Sequence, residues 1–145
     1  KYDVTHGSNP TKLSKFVTVK EAKWVKDYLA KFSSETTLVV TVASGTNGFG
    51  TGNKYYIGGV VTPSVNFVAG NTYIFDQSDS SNTGHPLRFS TTANGTHGGG
   101  SEYTTGVTVS GTAGSSGATV TIAVTGSTPT LHYYCTNHAG MGGQA

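Results

Sequence analysis

Thr37-Leu38-Val39-Val40-Thr41-Val42 is the stretch from which the fold can be read. Five of its six residues are β-branched, and such side chains are stiff at χ1 and pack well on a pleated surface. The run predicts a strand that ends in the turn-rich residues 45–53, read as a flexible hairpin loop. Downstream the same pattern returns in short pieces. Tyr55-Tyr56-Ile57, Val60-Val61, residues 64–68 and residues 72–75 are divided by Gly58-Gly59, Pro63 and Gly70-Asn71. Further candidates are Leu87-Arg88-Phe89 and residues 104–109, 118–124 and 131–135. Short strands with frequent turn signals point to an all-β sandwich or barrel.

Composition agrees. The 145 residues include 24 Thr, 15 Ser and 21 Gly, which suit half-exposed strands and tight turns. This length suits one domain that buries roughly two thirds of its unfolded surface. A net charge of +2 is too small to imply nucleic acid. No apolar run approaches the ~20 residues that span a bilayer, so no membrane partner is expected. The lone cysteine forms no intrachain disulfide, which leaves the redox compartment open.

Upstream of the β-rich part the chain changes character. Seven of nine basic residues (Lys1, Lys12, Lys15, Lys20, Lys23, Lys26 and Lys31) precede Ser33. Beyond residue 36 only Lys54 and Arg88 are basic, against Asp76, Asp79 and Glu102. Two segments are therefore expected: a basic N-terminal arm plus helix over 1–36, and a β-domain over 37–145. Thr18 and Glu21 fit a capping box, and Trp24, Val25, Tyr28, Leu29 and Phe32 recur at spacings of three and four. The helix is predicted over residues 19–32. Its aromatic stripe can pack on the β-domain, anchor it to a neighbouring subunit, or present a basic face to a membrane or nucleic acid.

The chemistry-bearing residues lie at the other end. In Tyr134-Cys135-Thr136-Asn137-His138-Ala139-Gly140-Met141 the only cysteine and only methionine flank a histidine. Thiolate, imidazole and thioether are donors that copper prefers, and two histidines, one cysteine and a weak axial methionine form a blue-copper set. His85, in Gly84-His85-Pro86-Leu87, supplies the second histidine. The expected ligands of one type 1 copper ion are His85, Cys135, His138 and Met141. Strand alternation carries Leu131, Tyr133 and Cys135 inward and turns His132 and Tyr134 away. His97 reads as a loop residue beside Gly98-Gly99-Gly100.

The element from Pro63 through Val65-Asn66-Phe67, Gly70-Asn71 and Tyr73-Ile74-Phe75 resembles the strand pair that precedes the first copper histidine of plastocyanins. The Cys-x2-His-x2-Met spacing is similar to the short ligand loop of amicyanins. Residues 37–141 thus resemble a cupredoxin. That implies a Greek-key β-sandwich of about 7–8 strands, with His138 at the rim where an electron could enter. Two features depart from the family. Pro86 follows His85, where plastocyanins generally have Asn, and proline has no N–H to offer the cysteine sulfur. The chain also stops at Ala145, where cupredoxins continue into a final strand; that strand is expected to be missing, or its edge covered by another segment.

A second resemblance is closer in wording. Phe75-Asp76-Gln77-Ser78-Asp79, Gly84-His85-Pro86-Leu87-Arg88-Phe89-Ser90, residues 95–107 and Tyr133-Tyr134-Cys135-Thr136-Asn137-His138-Ala139-Gly140-Met141-Gly142-Gly143 are similar to a module of virion structural proteins from marine bacteriophages, cyanophages especially. It implies a non-catalytic structural or decorating part of a capsid or tail appendage, located in the virion. Its partners would be other virion structural proteins, in many copies or a homo-oligomer. The alternative is a free periplasmic or secreted blue-copper carrier with a small electron-transfer partner. No enzyme is expected: there is no Gly-x-Ser-x-Gly elbow, and the Gly-rich residues 45–52 lead into a strand and lack the Lys-Ser/Thr of a phosphate loop.

Overall fold

Residues 35–47 form a single strand, β1 (Glu35–Asn47), that organises the domain from its middle. The computed structural model describes residues Ser34–Ala145. The predicted helix over 19–32, with Trp24, Val25, Tyr28, Leu29 and Phe32, lies outside the described residues. Along β1 the first five residues pair in parallel with β4 (Thr72–Asp76), and the last eight pair antiparallel with β2 (Gly50–Ile57). The β-branched run therefore has a partner on each side in turn.

Nine strands are present among the described residues. With β3 (Val60–Val61), β6 (Val107–Ser110) and β7 (Thr119–Ala123), the first sheet runs β3-β2-β1-β4-β7-β6. The second sheet is β5-β8-β9, from β5 (Leu87–Ser90), β8 (His132–Cys135) and β9 (Gly143–Gln144). The described residues are all-β, as expected of this part, in a sandwich-like arrangement whose six-stranded sheet is mixed because of the parallel β1–β4 pair.

Three expectations need correction. Residues 45–53 are no flexible loop: β1 continues to Asn47, Gly48-Phe49 make the turn, and β2 starts at Gly50. The ladder pairs Thr46 with Thr51, whose hydroxyls meet at 2.8 Å, so local polar pairing extends the strands through Gly-rich sequence. Residues 64–68 are not a strand, because Thr62 and Asn66 adopt positive φ of 34° and 62°, outside the range a ladder tolerates. The edge of β8 away from β5 is covered by the chain's own residues 143–144: β9 pairs with β8 through His132–Gln144 and Tyr133–Gly143.

The core lies between the sheets. Tyr73 and Phe75 from β4, Val120 and Ile122 from β7, and Leu87 and Phe89 from β5 point into it, each pair two residues apart as the pleat requires. Phe75 meets Phe89 edge-on at 5.3 Å between ring centroids, and Phe67 stacks on Tyr73 at 4.7 Å. Cys135 and Met141 belong to this same apolar cluster. The ligand loop is thus built onto the core.

Candidate metal centre

His85 is positioned by a short turn and a buried polar network. Asp79 caps the 3-10 turn Ser80–Asn82 by accepting from the Ser81 N–H at 3.0 Å, and Gly84 takes a φ of 80° before the histidine. The His85 N–H donates to the Asn82 carbonyl at 2.8 Å. Asn82 is fully buried and its amide donates to the Val40 carbonyl of β1 at 2.8 Å. Gln77 is the hub. Its Nε2 donates to His85 O at 2.8 Å and Asn82 Oδ1 at 3.0 Å, and its Oε1 accepts from the Leu87 N–H at 3.0 Å. The Tyr55 hydroxyl gives His85 O a second hydrogen bond at 2.6 Å.

Pro86 is thereby bracketed. Gln77 ties the backbone groups on either side of it, and the Pro86 carbonyl accepts from the Thr136 N–H at 3.1 Å. The rigid φ of proline and these bonds together hold the histidine segment against the cysteine strand. Every buried side-chain nitrogen and oxygen among the described residues has a partner, as a network of this kind requires.

Cys135 ends β8 opposite Leu87 and is fully buried. The following loop is tied at nearly every residue. Asn137 donates to Gly84 O at 3.0 Å, and Gly140, at φ 79°, donates to Asn94 Oδ1 at 2.8 Å. The Gly140 carbonyl accepts from Lys54 Nζ at 2.7 Å and Asn47 Nδ2 at 2.9 Å, and the Met141 carbonyl from the Tyr55 N–H at 3.0 Å. A Cβ on Gly142 would collide with the Tyr133 carbonyl, so only glycine lets the chain return beside β8.

These constraints bring the predicted donors together. Cys135 Sγ stands 3.8 Å from His85 Nδ1 and 3.6 Å from His138 Nδ1. The two imidazole centroids are 4.6 Å apart. All three donor atoms lie within 4.8 Å of one another, so the group can hold a metal ion. A nitrogen at roughly 2.05 Å and a sulfur at roughly 2.3 Å from one ion are about 3.6–3.8 Å apart for tetrahedral to trigonal angles. The observed separations fall in that interval. Met141 is buried in the same core cluster as Cys135 and lines an open cleft with His138, while the three converging donors are His85, Cys135 and His138.

Electrostatics favour binding. Burial, and secondarily the neighbouring His138, holds His85 below the ordinary imidazole value, so its ring is neutral at neutral pH and free to donate. His85 is only 9% exposed while His138 is open to solvent. One ligand edge is therefore dry and the other wet. Burial, together with the nearby Cys135, pushes the Tyr55 hydroxyl well above its usual range, which keeps it a neutral donor.

Two sequence readings change. Tyr134 was expected on an outer face with His132, yet it is buried, because the turn Gly95–Gly98 covers it and a Cβ on Gly95 would strike its ring. His97 is more than a loop residue: its Nε2–H donates to the Cys135 carbonyl at 2.8 Å, and its ring meets Tyr134 edge-on. Gln77, Tyr55, Asn82 and Lys54 had no sequence signal, since each sits in a context that reads as turn or strand. No family model, curated protein or solved structure matches the chain.

Proposed function

We propose that this chain binds one copper ion through His85, Cys135 and His138, with Met141 as a weak fourth ligand, in a non-catalytic structural module of a phage particle. The convergence of two imidazoles on one buried sulfur, at 3.6 and 3.8 Å, carries the metal half of this reading. Copper is favoured over zinc by the donor set, because thiolate and thioether sulfur in a buried pocket suit a soft ion. A copper ion held there would supply one-electron exchange with little rearrangement. The chain's own residues keep the His85 ring neutral, fix the sulfur through the Cys135 strand, and leave His138 as the wet edge.

The particle half is supported by the phage-like phrases that surround the ligands, from Phe75 through Gly143. One observation favours a free electron carrier instead. Phe49, 52% exposed, lines the cleft beside His138 and presents an apolar contact where a redox partner would approach.

Titration of the purified protein with Cu(II) tests the chemistry. An intense blue band that Cys135→Ser abolishes is the expected result, and a colourless wild-type complex overturns it. Mass spectrometry of assembled particles tests the setting. A monomer that never co-sediments with particles would favour the carrier.

A further inference from the structure

Lys54 is the feature that metal binding alone does not use. It sits on β2, only 3% exposed, with its ammonium on the Gly140 carbonyl at 2.7 Å. That carbonyl directly precedes Met141, and Lys54, His138 and Met141 line one cleft. Among the described residues Lys54 pairs with no carboxylate; the ion pair there is Arg88–Glu102, at 3.5 Å. Taking an ammonium out of water is costly even when a carbonyl accepts from it. Holding the loop does not require it, since the neutral Asn47 amide already donates to the same carbonyl at 2.9 Å.

We infer that Lys54 is a positioning residue whose charge biases the metal centre toward the ion of lower charge. The inference rests on the metal-binding reading above and deepens it. One thiolate with two neutral imidazoles makes a monovalent ion's site neutral and leaves a divalent ion's site at one positive charge. A fixed cation hydrogen-bonded to the ligand loop repels only the second, and because Lys54 is buried that repulsion is only partly screened. Lys54 therefore favours Cu(I) over Cu(II), or over any divalent ion in the same ligands.

Competition titrations with Cu(I) and Zn(II), on wild type and variants, read this directly. Lys54→Met and Lys54→Gln should each raise the Zn(II)-to-Cu(I) affinity ratio about tenfold, while Lys54→Arg leaves it unchanged. The same tenfold change in the Cu(II)/Cu(I) ratio lowers the one-electron potential by about 59 mV. Phe49→Glu, an exposed change on the same cleft, should move the ratio in the same direction by less, without touching the buried amine. A merely structural Lys54 would weaken both ions together and leave the ratio fixed. An unmoved ratio in the Met, Gln and Glu variants, or an equal shift in Lys54→Arg, overturns the inference while leaving the metal site standing. A wild-type chain that binds neither ion overturns both.

Discussion

Cys135 carries the centre because no other residue can replace its sulfur. Cys135→Ser keeps the volume but exchanges a soft, easily ionised donor for a hydroxyl. Copper affinity should fall at least roughly a hundredfold, measured against a chelator of known strength. His85 adds a pH dependence. Its pKa in the fold lies below the free value of 6.5, so between the two the unfolded chain holds the proton that the folded chain refuses. Its contribution to stability is whole above 6.5 and is lost as pH falls through that window. Melts of metal-free protein from about pH 8 down to about pH 5 should show this decline, flattened in His85→Asn. An unchanged slope in the variant would assign the decline to other groups.

At the level of elements, the ligands are only as well placed as the segments that tie them. Gln77 bonds His85 O, Asn82 and the Leu87 N–H at once. Gln77→Leu keeps most of the volume but leaves buried partners unpaired, at about 1–3 kcal/mol for each group orphaned. Denaturant unfolding should show that loss, with weaker metal binding alongside, because the His85 segment loses its tie to β5. Gly142→Ala tests the return of the ligand loop. With the Tyr133 carbonyl in the way, the backbone must shift, and β9 should lose hydrogen-exchange protection before β4 does. The pairing of both ends of the loop explains why its geometry can exist before any ion binds.

For the whole molecule, stability and the proposed metal site share one core, since Cys135 and Met141 pack in the cluster that holds Phe75 and Phe89. Phe75→Ala should cost about 3–5 kcal/mol, read by denaturant midpoint. The same linkage works in reverse. An ion present at about a thousand times its dissociation constant adds roughly 4 kcal/mol, so chelation should lower the melting temperature of wild type and leave Cys135→Ser unmoved. Equal melting of loaded and stripped wild type would mean that the ligands do not act on the folded chain.

The all-β class was legible in residues 37–42 because β-branched runs and turn residues are local signals, and the three converging side chains His85, Cys135 and His138 were legible because thiolate and imidazole announce their chemistry by type. Tertiary structure alone decided the rest. The 50-residue gap between His85 and Cys135 closes only through the β5–β8 ladder, and pairing across such a distance leaves no mark in either segment. The burial of Tyr134, the hydrogen bond from His97, and the roles of Gln77 and Lys54 have the same origin. Each depends on which distant backbone group lies opposite, a matter of long-range packing that residue type cannot encode by itself.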